Sequence, residues 1–118
     1  MKEYLLIFRD HERRWDSFSP AEMQAVIEKF DAWNTQVRAT GAFIGAGKLT
    51  SDMGSTVRQR GDRMVVDGPF CEAKEAVSGY YCIRATDAAA AEETAKGFPM
   101  LAYGGSVEVR EMVIRQTE

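Results

Sequence analysis

The segment KEYLLIFRD, residues 2–10, limits the fold more than any other stretch of the chain. Tyr4, Leu6 and Phe8 fall on one side of a strand, and Leu5 and Ile7 fall on the other. A strand that is apolar on both faces must have neighbours on both edges and cover on both sides, so the pattern predicts the middle of a sheet. The rest of the chain must therefore supply further strands and at least one covering layer.

The first covering layer comes after a charged link, in SPAEMQAVIEKFDAWNTQVRATG. Ser19 is placed to cap, Pro20 sits at the first helical position, and Glu22 completes a capping box, which predicts a helix over residues 20–39. Met23, Val26, Ile27, Phe30, Trp33 and Val37 recur at three- and four-residue spacing and form one apolar stripe that should lie on the sheet. Trp33 on that stripe is read as packing rather than as a substrate wall. AFIGAGKLT is a second strand, in which Gly45 and Gly47 imply close approach of a ligand or of a helix.

STVRQRGDRMVVDG alternates on both sides of Gly61-Asp62, a two-residue turn with glycine first, and predicts a hairpin. Val57 should face Val66 and Gln59 should face Met64, leaving Arg58, Arg60, Arg63 and Val65 on the other face. GYYCIRA is a further strand. TDAAAAEETAKG is a short helix capped by Thr86 or Asp87 and stopped at Gly97, and SVEVREMVI is a last strand with an edge or interface signal at Glu111.

The order is strand, helix, strand, hairpin, strand, helix, strand. Two β-α-β units with helices on one side of an antiparallel sheet describe a ferredoxin-like α+β domain with an inserted β-hairpin. With 118 residues, one domain over residues 1–118 is expected. The helices serve one sheet face only, so cover for Leu5 and Ile7 is expected from a second copy, in a homodimer.

A formal charge of −3, with basic and acidic residues interleaved, argues against a nucleic-acid footprint and a polybasic membrane surface. No apolar run approaches the ~20 residues of a membrane span, and the apolar start breaks into charges, which reads as a strand of a cytoplasmic protein. Cys71 and Cys82 form no C-x-x-C pair, and with a single histidine, His11, no metal set is expected.

The chemistry-bearing residues concentrate in DGPFCEAKEAVSGYY, residues 67–81. Asp67-Gly68-Pro69 is turn punctuation, with the Asp67 side chain expected to accept a backbone N–H from residues 68–72. Glu72, Lys74, Glu75, Tyr80 and Tyr81 combine acid, cation and phenol near a strand end, where a cleft would make them acid/base or ligand groups. The structural reading of the same residues is a surface loop tied by Lys74 and its carboxylate neighbours. Arg58 offers an anion contact, against a solvated hairpin face. Strand alternation sends Tyr80 and Tyr81 to opposite faces, so one at most faces a cleft.

DGPFCEAKEAVSGYYCIRA, preceded by KEYLLIFRD and followed by GGSVEVREM, resembles the DGPF-type branch of the YCII-related family along nearly the whole chain. The resemblance implies a dimeric α+β barrel with a ligand cleft in each subunit. It also implies, in the broader family, a histidine on the first helix with a partnering aspartate, and in one branch dechlorination of an aromatic hydroquinone. Residues 20–39 contain no histidine, so that pair is not carried here. An acid/base role would fall to Asp67 and Glu75 as catalytic residues, with Glu72, Lys74, Tyr80, Tyr81 and Arg58 as ligand contacts.

Two functions are compatible with these residues: a cofactor-independent acid/base enzyme acting on a small organic molecule, and a non-catalytic ligand-binding or regulatory module. No cofactor is expected. GAFIGAGK has neither the G-x-G-x-x-G pattern nor P-loop spacing, and His11 is a poor haem ligand candidate.

Overall fold

The computed structural model describes residues 1–10, 17–50, 54–68 and 76–114. The elements are β1 (Lys2–Asp10), α1 (Pro20–Ala39), β2 (Phe43–Lys48), β3 (Thr56–Arg60), β4 (Arg63–Asp67), β5 (Ala76–Ala85), α2 (Ala88–Ala95), a 3-10 turn (Pro99–Tyr103) and β6 (Ser106–Met112). His11, Pro69, Phe70, Cys71, Glu72, Lys74 and Glu75 lie outside the described residues.

β1 lies inside an antiparallel sheet of order β2-β5-β1-β6, where the two-sided apolar pattern requires it. Its even-numbered residues are buried under the helices: Tyr4, Leu6 and Phe8 join Val26, Trp33, Val37, Ile83, Phe98 and Met100 in one core. Leu5 and Ile7, on the opposite face, are half-buried. Their register partners on β6 are Arg110 and Glu108. Glu108 there takes hydrogen bonds from Arg110 and Arg9, which hold its carboxyl below the ordinary range.

This topology corrects the expected dimeric α+β barrel. A barrel abolishes sheet edges by closing on itself. Here the four-stranded sheet is open, with β2 and β6 as edges, and β3 and β4 form a separate two-stranded sheet. The architecture is α+β with open sheets. With no closure, a second copy is no longer required as the far wall of a barrel.

α1 begins as its sequence dictates. Ser19 is extended, its Oγ accepts from the Glu22 N–H at 3.1 Å, and the Ser19 N–H donates to Glu22 Oε1 at 2.9 Å. Hydrogen bonding from the Ser19 backbone N–H, and then from its side chain, pulls the Glu22 carboxyl below its usual value. α2 is capped by Asp87, which accepts from the Ala90 N–H at 2.9 Å. Gly97, expected as a helix stop, has a packing reason as well. A Cβ there would lie 2.5 Å from Cδ1 and Nε1 of Trp33, whose indole N–H donates to the Thr94 carbonyl at 3.2 Å.

The hairpin forms in the expected register, with Val57 opposite Val66 and Gln59 opposite Met64. Gly61 has φ +65°, while among the described residues no non-glycine residue has positive φ, so of the two turn positions only the first has positive φ, as a type II′ turn requires. Its polar face carries an ion-paired group in which Asp67 Oδ2 lies 3.5 Å from Arg58 Nε and 3.3 Å from Arg60 Nη2. Its other face exposes Val57, Met64 and Val66.

Two outcomes test this packing. The Tyr4 hydroxyl is buried and has no hydrogen-bond partner among the described residues. Removing it in Tyr4→Phe should raise stability by about 1 kcal/mol in urea denaturation, because an unsatisfied buried hydroxyl costs roughly 1–3 kcal/mol. Gly97→Ala should lower stability by roughly 1–3 kcal/mol, since the indole is held on both sides and cannot yield to the added methyl.

Candidate functional site

The apolar stripe of α1 does two different things along its length. Val26, Trp33 and Val37 are buried, whereas Ile27 is 44% exposed. Beneath the first half of the helix the sheet offers small residues. Gly79 is the register partner of Phe8 on β1 and of Lys48 on β2, and Ala46 is the partner of Tyr81. There a cleft of about 630 Å³ lies between Met23, Ile27 and Phe30 of the helix and the strands.

The inner end of the cleft is aromatic. Phe8 and Phe98 stack face to face, with ring centroids 4.2 Å apart and planes 6° apart. Phe30 meets Phe98 edge-on at 5.6 Å, and Tyr81 lies 5.4 Å from Phe8. Among the described residues the polar groups that line it are Asp10, Ser78 and Lys48 from the strands, Asp31 from α1, and Tyr81. Lys48 and Asp31 are exposed at the mouth. Asp10 is only 3% exposed.

A local irregularity arranges this end. The register of β1 with β5 shifts between Phe8 and Arg9, so that Phe8 faces Gly79 and Arg9 faces Val77, leaving Ser78 as the extra residue of a bulge. The Ser78 hydroxyl donates to the Phe8 carbonyl at 3.3 Å. Ala76, the first residue of β5, is the register partner of Asp10.

Tyr81 is fixed from the side. Its hydroxyl donates to Asn34 Oδ1 at 2.8 Å, and Arg38 Nε donates to the same oxygen at 3.2 Å while its guanidinium lies 3.9 Å from the centre of the Phe43 ring. Burial pushes the Tyr81 phenol above its ordinary pKa, with Arg38 pulling the other way. The phenol is therefore protonated at neutral pH, and with its one proton given to Asn34 its oxygen is left as an acceptor. Cys82, on the opposite face, has its thiol pushed up by burial and by Glu3, which is unfavourable for a thiolate nucleophile.

The structure divides the residues expected from the sequence. Tyr81 lines the cleft, and Tyr80 points to the helix-free face, 38% exposed, with its ring covering Gly47. A Cβ at Gly47 would lie 2.6 Å from Tyr80 Cε1, so this glycine is bare to seat a tyrosine rather than a ligand or a helix. Asp67 and Arg58 are in the hairpin, paired with each other, and do not line the cleft. The described contacts of Asp67 run to arginines, while residues 69–72, where most of the expected backbone donors lie, are outside the described residues. Glu72, Lys74 and Glu75 also lie outside them and immediately precede Ala76 in the chain.

Asp10 was missed by sequence reasoning, although a signal existed. It shares the period-two face of Tyr4, Leu6 and Phe8, so a carboxylate stands at the end of an otherwise apolar row. Asp31 and Lys48 left no comparable trace, because single charges on a helix and at a strand end are ordinary surface residues.

Among the described residues no helix is long and apolar enough to cross a membrane, and no cluster of three or more metal-ligating side chains occurs. No curated protein matches the chain. The family model of the YCII-related domain matches residues 2–114, which takes in every element from β1 to β6 and the whole of the cleft. The chain belongs to the YCII-related family.

Proposed function

We propose that the chain binds a small, mainly apolar molecule in the cleft under α1 and that Asp10 moves a proton on it, in acid/base chemistry without a cofactor. One observation carries this reading: a carboxylate only 3% exposed at the edge of a cleft of about 630 Å³ walled by aromatic rings. A cleft of this size with a small number of convergent polar groups is the usual form of a small-molecule site. A ligand filling it excludes bulk water, so its hydrogen bonds to Asp10 form in a medium of low dielectric, where they are strongest.

Tyr81, whose hydroxyl donates to Asn34 and keeps its oxygen as an acceptor, and Ser78 serve in this proposal to orient the ligand. Glu72, Lys74 and Glu75 enter it through the chain alone, because they lead directly into Ala76, the strand partner of Asp10. The Asp67 pairing with Arg58 and Arg60 supports a structural role in the hairpin. The sequence Asp67-Gly68-Pro69-Phe70 supports the DGPF-type branch within the family. The second reading is a non-catalytic ligand-binding module, and it uses the same cleft.

2-Tetralone, a bicyclic ketone with acidic α-protons, tests both. Saturable binding is expected, weakened at least tenfold by Ile27→Trp, which fills the cleft from the exposed position of α1. In D2O the α-protons should exchange faster with the protein than with buffer, and Asp10→Asn should remove that acceleration while leaving binding in place. Binding without acceleration would select the non-catalytic module. Binding that Ile27→Trp leaves unchanged in a folded variant would put the ligand elsewhere and overturn the cleft itself.

A further inference from the structure

Resting on the cleft reading above, we infer that the ligand carries an O–H or N–H donor on an apolar body. Asn34, which does not line the cleft, sets this preference by taking the proton of the Tyr81 hydroxyl. A phenol has one proton to give, and Tyr81 gives it to Asn34 Oδ1 at 2.8 Å. A second bond fixes the direction of the first. Arg38 Nε donates to the same Oδ1 at 3.2 Å, and a guanidinium has no acceptor, so turning the amide over would set its NH2 against a second donor. Asn34 therefore presents its oxygen to Tyr81, and the Tyr81 oxygen is left to accept.

The position of that oxygen is fixed as well. The Tyr81 ring is stacked on Trp33 at 4.8 Å between centroids and meets Phe43 edge-on at 5.4 Å. Phe30 and Asp31, one helical turn before Asn34 on α1, line the cleft, so the bonded hydroxyl stands at its helix-side edge. Ser78, the other hydroxyl among the described residues that line the cleft, is committed in the same way, through its bond to the Phe8 carbonyl at 3.3 Å. A ligand O–H or N–H at Tyr81 finds an acceptor. A ligand carbonyl there meets lone pairs with its own and gives up a bond to water without replacing it.

Two compounds of one skeleton test this on the folded protein: 1-(2-naphthyl)ethanol, which has a donor, and its ketone 2-acetonaphthone, which has an acceptor only. Calorimetric titration of the wild type should show the alcohol roughly three- to tenfold tighter, the worth of one hydrogen bond. Tyr81→Phe keeps the ring and should lower the alcohol-to-ketone ratio about threefold or more. Asn34→Leu frees the Tyr81 proton for the ligand, so the ketone should bind tighter than it does to the wild type and the ratio should fall further. Asn34→Asp keeps an acceptor for both Tyr81 and Arg38 and should restore the wild-type ratio, which a loss of packing alone would not do. Groups elsewhere around the cleft add to the wild-type ratio, but Asn34 does not touch them, so the change on substitution decides.

If Asn34→Leu leaves the ratio where it was, and Ile27→Trp weakens both compounds, the cleft reading stands and the donor inference is overturned. A wild type that binds the ketone as tightly as the alcohol overturns it too, as does Asn34→Asp behaving like Asn34→Leu. If neither compound binds, or if Ile27→Trp affects neither, the cleft reading fails and the inference with it. Should Asn34→Leu not fold, Tyr81→Phe decides: an unchanged ratio in that variant overturns the inference.

Discussion

The face-to-face stack of Phe8 on Phe98 is the contact on which the helical layer depends. Phe8 belongs to the central strand, and Phe98 belongs to the link after α2, so the stack ties the sheet to the end of the second helix. Trp33 then packs edge-on against both rings, at 5.8 Å and 5.9 Å, and brings in α1. Its indole N–H bond to Thr94 and the bare backbone of Gly97 leave it a single seat. Large aromatic rings bury the most area per residue and add a directional preference of about 0.5–1.5 kcal/mol per pair. A set of such pairs fixes the orientation of α1 as well as its attachment.

The cleft results from where that fixing ends. Along the twenty residues of the helix Val26, Trp33 and Val37 are the buried positions, while Ile27, the neighbour of Val26 on the stripe, is left exposed. On the side of the stripe that carries Met23, Ile27 and Phe30, the helix lies across a cleft from Ala46 and Gly79. The same residues that look like a continuous apolar stripe therefore have two environments, and Ile27 is as exposed as a surface residue because it overhangs a space. Helical periodicity reports which side of a helix is apolar. It does not report what stands opposite, and that depends on long-range register, which puts a glycine across from Phe8.

Local signals were legible for the same reason that long-range ones were not. The Ser19 cap, the Gly61 turn and the placing of β1 inside the sheet each depend on a few neighbouring residues, and each appears where the sequence puts it. The barrel was drawn from resemblance, and closure of a sheet is a property of edges that no local pattern encodes. The site was sought in residues 67–81 because charged groups are dense there. Of that stretch Tyr81 does line the cleft, while Asp67 is occupied by Arg58 and Arg60. The quieter residue, Asp10, has one charge in a row of apolar neighbours, and burial rather than density is what makes a carboxylate chemically distinctive.

A chain shaped by stability alone would not leave this space. Packing to normal density removes voids, and larger residues at positions 46 and 79 would bring the sheet toward Met23 and Ile27. Gly79 resists that change, since a Cβ there would lie 2.7 Å from the Gly47 carbonyl oxygen, and Gly47 in turn resists it because Tyr80 lies over it. The two glycines and the tyrosine thus lock one another across β2 and β5. The cleft floor is kept low at Gly79 by the backbone of the neighbouring strand, which a side-chain substitution cannot move aside, whereas a Cβ at Gly47 would meet Tyr80 on the helix-free face and add nothing to the floor.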